Sequence, residues 1–492
     1  MESSVEIIVL PFFGQGHLNP CLELCKQIVC QNMKAIFIIP STLSSSIPSY
    51  THPFLEVVQL SNPPKPADRP GPGSDPLNES GPRRAHPLAK GVEEFLTERF
   101  TGSGRVRPVC AIVDVMMQWS REIFVKLGIP IASFFTSGAC NSAMEYAKWK
   151  ADADSINPGE TRVLPGLPEN MSFSFADVKR NHRRIGGREA GKPGPDEPGG
   201  SPGERRHGPK KTPWWEDVEE SMALLFNTCD DLEGVFIQYI GDQIGKPVKG
   251  VGPMLPEQYW NSAGSVVRDH EVRSNRKADA TEDEVMEWLN SKPKQSVIYI
   301  SFGSEVSPTS EEFAELADAL EEANRAFIWV VPPGSGTSGP PRGMLSLMGR
   351  KETQDEGYFP HCLDEKVGNR GMIIKGWAPQ LLILSHPSLG AFLSHCGWNS
   401  TVEAIGRGVP ILAWPIRGDQ FHNAKLLVNH LKVGKTLLTS DDPLEMMKKE
   451  HILKGIEIVM DDQEIHKRAK QLANKFHPSA ASLKEFINLL SK

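Results

Sequence analysis

Trp377-Ala378-Pro379-Gln380 opens a stretch that runs WAPQLLILSHPSLGAFLSHCGWNSTVEAIGRGVPILAWPIRGDQ and closes on Asp419-Gln420. Its middle holds an apolar run, Leu389–Leu393, with the length and composition of a short buried strand. The run ends in Ser394-His395-Cys396-Gly397-Trp398-Asn399-Ser400. A helical pattern follows over Thr401–Gly406, and a second apolar run, Val409–Trp414, leads to the closing pair. A strand that ends in small and polar residues and turns into a helix is where α/β folds hold ligands. The new helix offers unpaired N–H groups and the positive end of its dipole, which suit a phosphate. Trp377 brings a flat face for stacking on a nucleobase. His395, Asn399 and Ser400 stand at the turn, where they can donate to a diphosphate. Glu403 lies four residues after Asn399 on the same helix face, and its carboxylate can accept from both hydroxyls of a ribose. Asp419 and Gln420 suit the hydroxyls of a sugar. In chain order these residues describe base, ribose, diphosphate and hexose.

The rest of the chain is long enough to present such a site on more than one core. At 492 residues, two domains are expected. Hydrophobic residues at 39% and charged residues at 23% fit a globular protein. A net charge of −7 and a pI near 6.1 give no electrostatic footprint for nucleic acid. No apolar run reaches the roughly 18 residues of a membrane span, and the opening MESSVEIIVLPFF does not read as a signal peptide. The 8 cysteines form no CxxC pair; Cys21, Cys25 and Cys30 share one expected helix and read as core thiols. A reduced, cytoplasmic protein is expected.

Val5–Leu10 reads as a first buried strand, followed by the turn Pro11-Phe12-Phe13-Gly14-Gln15-Gly16-His17 and a helix expected from Pro20 to Gln31. The turn lacks the third glycine of a dinucleotide fingerprint, which counts against a nicotinamide oxidoreductase. His17 sits at the mouth of the first strand, and an imidazole of ordinary pKa near 6.5 suits a general base. Asp114 closes another strand, Val109–Asp114, and could orient His17 from the same sheet edge. Read alone, each residue also fits a structural role. Ser296–Ser304 is a second strand and turn, the counterpart of the first, with Ser301 and Ser304 placed to cradle a diphosphate. Three stretches, Asn62–Arg84, Asn181–Thr212 and Pro332–Phe359, are rich in Gly and Pro and read as loops. The second, dense in Arg and Lys, is expected to be a flexible insertion.

The stretch Trp377–Gln420 resembles the plant secondary product glycosyltransferase box of the family 1 UDP-glycosyltransferases. It shares that box's length, its opening WAPQ, its central HCGWNS, the Glu three residues after Ser400 and the closing DQ. The resemblance implies an α/β protein of GT-B fold, with two Rossmann-like domains facing each other across a cleft. An acceptor-binding domain is expected over 1–248 (with 181–212 as the insertion), a linker over 249–262, and a UDP-sugar-binding domain over 263–475. The closing helix, 476–492, is expected to pack back on the first domain.

The family's base is a histidine in a GxGHxxP context, which GQGHLNP matches at His17, beside Gly16. Its activating aspartate matches Asp114, five residues before Trp119, with Val113 where a small residue is usual. The resemblance also places Thr136, Ser301, Ser304, Trp377, Ala378, Gln380, His395, Trp398, Asn399, Ser400, Glu403, Asp419 and Gln420 at the UDP-sugar. Gln420 at the end of the box implies glucose, with other UDP-sugars as alternatives. The implied acceptor is a small hydroxylated molecule such as a plant flavonoid, with terpenoids and steroids next. No cofactor or metal beyond the UDP-sugar co-substrate is implied, and the protein is expected to act as a monomer. A nucleotide-sugar binder without turnover is the remaining alternative.

Overall fold

The computed structural model describes residues 5–47, 50, 52–61, 88–100, 107–185, 213–262, 265–269, 279–337, 357–438, 442, 446–475 and 480–490. The stretch 62–84, most of the insertion 181–212 and residues 338–356 of the third loop lie outside them.

Apolar runs buried on both faces form the centre of two parallel sheets. The first half contributes β1 (Glu6–Leu10), β2 (Lys34–Pro40), β3 (Leu55–Leu60), β4 (Cys110–Asp114) and β5 (Ile131–Phe135). A small antiparallel pair follows, β6 (Thr161–Arg162) with β7 (Phe173–Ser174). The sheet is then completed by β8 (Ala223–Phe226) and β9 (Val248–Gly250), in the order β3-β2-β1-β4-β5-β8-β9. The second half contributes β10 (Val297–Ser301), β11 (Ala326–Val331), β12 (Gly371–Lys375), β13 (Leu389–Ser394), β14 (Ile411–Ala413) and β15 (Gly434–Thr436), in the order β12-β11-β10-β13-β14-β15. Every residue of β1, β4, β5, β8, β10 and β13 is buried, whereas the edge strand β3 alternates toward solvent. Continuous rather than alternating apolar runs are what helices on both faces of a parallel sheet demand.

In each sheet the half's first strand, β1 or β10, sits centrally. The next strand lies on one side of it and a later one on the other. That reversal opens a crevice at the carboxyl ends of the strands. Two such sheets form the GT-B architecture. Pairing of β10 with β13 sets Ser301 beside Ser394, so the turns after both strands meet at one crevice.

Several boundaries differ from the sequence reading. The first helix runs Gln15–Val29 and takes His17 into its first turn, with Pro20 inside rather than at the start. A proline has no N–H for the carbonyl four residues back. That carbonyl is Gly16's, and a side chain of the other half takes it up, as described below. The helix after β13 begins at Trp398, not Thr401, so Asn399 and Ser400 lie in its first turn. Cys30 falls beyond the end of its helix and is exposed, unlike buried Cys21 and Cys25. Residues 181–185, read as part of the insertion, instead close the helix Phe175–Ile185, in which Val178 is buried and Asp177 pairs with Lys425 at 2.6 Å. Lys249 and Gly250, read as linker, are the last residues of β9, held by pairing with β8.

The closing helix Ala480–Leu490 inserts Leu483 and Phe486 into the core of the first sheet, both essentially fully buried, beside Leu225, Val251 and Met254. Each such burial contributes about 1.5–3 kcal/mol. Phe486→Ala is therefore expected to destabilise the protein by about 3–5 kcal/mol, read as a drop in the thermal midpoint. A loss below about 1 kcal/mol would show that the cavity collapses or the helix is not held there. Among the described residues no helix is long and apolar enough to cross a membrane.

Candidate active site

At the crevice of the first sheet, His17 stands one turn past β1 and Asp114 ends β4, the strand paired beside it. His17 Nδ1 lies 2.8 Å from Asp114 Oδ2 and 2.9 Å from Thr136 Oγ1. An ionised carboxylate can only accept, so the ring proton sits on Nδ1 and the lone pair on Nε2. Asp114 is buried, and its Oδ1 accepts the Met116 N–H at 2.9 Å, which fixes the carboxylate's direction. Burial pulls the His17 pKa down, but the charge and hydrogen bond of Asp114 outweigh it, and Asp419 and Glu305 add to the rise. The net is a pKa above the ordinary 6.5. The His17 side chain keeps 28% exposure, and the Phe12 ring meets it edge-on at 5.1 Å. Met116, two residues past Asp114, is exposed.

At the crevice of the second sheet, the helix Trp398–Ile405 starts from Gly397 with no side-chain cap, so its first N–H groups face the crevice mouth uncapped. His395 is buried, its Nδ1 has no partner among the described residues, and burial pushes its pKa down to about 4. It is therefore a neutral ring at pH 7, able to hydrogen-bond an anion but not to add a charge. A Cβ at Gly303, which has φ +72°, would stand 2.8 Å from the His395 ring. Only glycine lets this turn close on the imidazole. Ser301 is buried and its Oγ accepts the Gly303 N–H at 3.4 Å; Ser304 and Trp377 are half-buried and Ala378 is buried.

Gln380 has both ends of its carboxamide engaged. Its Oε1 accepts from Tyr299 OH at 3.1 Å, and its Nε2 donates to Ser400 Oγ at 3.0 Å and Glu403 Oε2 at 2.7 Å. It acts as a clamp that aims the buried Glu403 carboxylate. Gln420 similarly spends Oε1 on the N–H groups of Ile416 and Arg417, each at 2.9 Å, so its NH2 is the group it can offer a sugar. Burial pushes the Asp419 pKa up, opposed by a hydrogen bond from Asn423 and by the charge of His17.

The two crevices face each other. Asn399 Nδ2 donates to the Gly16 carbonyl at 3.1 Å, the carbonyl that Pro20 leaves without a helical partner. Trp398, expected at the UDP-sugar, donates its indole N–H to the Asn227 carbonyl at 2.7 Å and is buried. His422 Nδ1 meets Asn141 Oδ1 at 2.7 Å, and Lys425 pairs with Asp177. Sequence reasoning missed Asn423, whose Nδ2 donates at 3.0 Å to both the Cys396 carbonyl and Asp419 Oδ2, tying the middle of the box to its closing end. Its spacing four residues after Asp419 was the available signal. Asn227 and Tyr299, each at a strand or strand end, carried no local mark.

The comparisons with known proteins agree with this geometry. The sequence model of the UDP-glucoronosyl and UDP-glucosyl transferase family matches residues 267–479. Mogroside I-E synthase of Siraitia grosvenorii is 27% identical, over 100% of this chain and 99% of that protein. Anthocyanin 3'-O-beta-glucosyltransferase of Gentiana triflora is also 27% identical, over 96% and 94%. Among solved structures, Medicago truncatula UGT71G1 complexed with UDP-glucose shares the fold at a TM-score of 0.68 and 22% identity, covering 99% of this chain and 98% of its own. Two Rossmann-like sheets with facing crevices, the intact sugar box and relatives matched along nearly the whole chain agree: this protein is similar to the UDP-glucoronosyl and UDP-glucosyl transferases, enzymes that transfer a sugar from a UDP-sugar to a small-molecule acceptor.

Proposed function

We propose that this enzyme transfers glucose from UDP-glucose to a hydroxyl of a small phenolic acceptor, with inversion at the anomeric carbon. The observation that carries the reading is the 2.8 Å contact of His17 with buried Asp114, opposite Asp419 of the donor box. His17 Nε2 takes the acceptor's hydroxyl proton, while Asp114 holds the ring in the tautomer that frees Nε2 and stabilises the imidazolium. The acceptor oxygen bonds to the anomeric carbon as the bond from that carbon to the diphosphate oxygen breaks, and its electron pair leaves with UDP. The uncapped N–H groups after Gly397, the neutral His395 ring and the Ser301–Ser304 turn stabilise the leaving diphosphate. Trp377 stacks on uracil, Glu403 accepts from the ribose, and Asp419 with the Gln420 amide holds the hexose. No step calls for a metal ion.

Glucose is supported by Gln420 at the end of the box, by the glucosyltransferase name of the Gentiana relative and by the UDP-glucose bound to the Medicago enzyme. A phenolic acceptor is supported by the Phe12 ring against His17, an apolar face for a flat ring, and by the anthocyanin in that relative's name. The test is UDP release from UDP-glucose, UDP-galactose and UDP-xylose with a panel of phenolics, terpenoids and steroids. Release that is fastest with UDP-glucose and a phenolic is expected. Faster turnover of a terpenoid or steroid would overturn the acceptor class. UDP binding without release on any acceptor would favour a non-catalytic nucleotide-sugar binder.

A further inference from the structure

Asn227 touches neither crevice's expected ligands, yet its hydrogen bonds join them. It follows β8 and is 1% exposed. Its backbone N–H donates to the Phe135 carbonyl at 2.9 Å, and its Nδ2 donates to the Thr136 carbonyl at 3.0 Å. Its Oδ1 accepts the Met254 N–H at 2.6 Å, and its carbonyl accepts from the Trp398 indole at 2.7 Å. The Thr136 hydroxyl is in turn 2.9 Å from His17 Nδ1.

The turn carrying Thr136 is held from its other end as well. Glu233, fully buried, accepts the N–H groups of Ala139 at 2.9 Å and Cys140 at 2.7 Å. Gly138 lies between Glu233 and the Trp398 ring so tightly that a Cβ there would stand 2.5 Å from the carboxylate and 2.6 Å from the indole. The turn therefore has little room to move independently of Trp398. Trp398 is the first residue of the helix whose N-terminus is read above as the diphosphate seat.

We propose that Asn227 is a positioning residue for His17, and that the path Trp398–Asn227–Thr136–His17 couples the seating of the donor-binding helix to the orientation of the base. This rests on the reading of His17 as the base. Such a path is physically contiguous: each link is a direct hydrogen bond or one residue of backbone, and buried polar groups in one network do not respond independently. A donor that seats the helix thus also fixes the acceptor-side base.

The test is a double-mutant cycle of Trp398→Phe, which removes the indole donor and keeps an aromatic ring, with Thr136→Val, which removes the hydroxyl and keeps the shape. The readouts are kcat, KM for UDP-glucose and the acid limb of the pH profile of kcat/KM. Each single variant is expected to lower kcat about tenfold through misplacement of the base, with donor KM within about twofold. Both should move the acid limb to lower pH, because Thr136 Oγ1 helps to hold the Nδ1 proton of charged His17. The double variant is expected to be no worse than the worse single. Asn227→Ala, if it folds, should reproduce the same pattern. Strictly multiplicative losses in the cycle would overturn the proposal. So would a Trp398→Phe effect confined to KM, with kcat and the pH limb unchanged. Full activity in His17→Ala would instead overturn the base assignment on which the proposal rests, so the two failures are distinguishable.

Discussion

His17→Ala is expected to lower acceptor-dependent UDP release by about 10²–10⁴-fold while UDP-glucose binding changes little. The magnitude is that of losing a positioned general base. The selectivity follows from where the residue sits. His17 belongs to the first half, its ring is bonded to Asp114 and Thr136, and its side chain keeps 28% exposure to the cleft. Its hydrogen bonds are to residues of the first half, and Asp419 of the donor box reaches it through charge. Binding of UDP-glucose by calorimetry and turnover by UDP release would separate the two effects. A variant that still turns over at the wild-type rate would mean that the acceptor loses its proton to water or to another group. A variant that loses donor binding as well would mean that His17 shapes the donor crevice, through the Gly16 carbonyl next to it.

Asp114→Asn keeps the shape of the side chain and removes its charge, and two effects should follow together. The first is on rate. A carboxamide can turn its NH2 toward Nδ1, which moves the ring proton to Nε2 and takes away the lone pair the acceptor needs. A loss on the order of 10²–10⁴ in kcat is expected. The second is on pH dependence. In the wild type, burial lowers the His17 pKa and Asp114 more than restores it, so the base titrates above 6.5. A base must be neutral to act, so wild-type kcat/KM should rise with pH through that value. Without the Asp114 charge, burial wins, and the remaining activity should titrate at lower pH.

The same shift has a consequence for stability. A histidine whose folded pKa is raised contributes stability that is fully present below 6.5 and is lost as pH rises through the folded value. The gap in thermal midpoint between wild type and Asp114→Asn should therefore be widest at acidic pH and narrow as pH climbs. A gap that is constant with pH, or an acid limb that does not move, would mean that Asp114 acts on packing and not on the charge of His17.

Much of this site could be read without coordinates, and the reason is local. Short runs such as Val297–Ser301 and Leu389–Ser394 are buried throughout and apolar up to their last residue because both faces are covered, so their ends mark where a crevice opens. Asp114, Ser301 and His395 stand at such ends, and His17 in the first turn of the helix that follows one. Helix starts were less legible. Pro20 suggested a beginning where the structure has an interior, because the carbonyl it leaves without a partner is taken by Asn399 from the other half. Nothing near position 20 could announce that.

The two βα series, their glycine turns, the donor box and the residue types able to take a proton or hold a diphosphate are all legible along the chain. These follow from the pattern of burial along short strands and from residues close together in the chain. Which polar group meets which is set by packing in three dimensions. It joined His17 to Asp114 across 97 positions, Trp398 to Asn227 across 171, and Asn399 to Gly16 across 383. It set the Trp398 indole on the Asn227 carbonyl and the Gln380 amide on Glu403. A buried donor or acceptor must be satisfied by whatever the packing of the two halves brings within about 3 Å, and that choice is made in space, not along the chain.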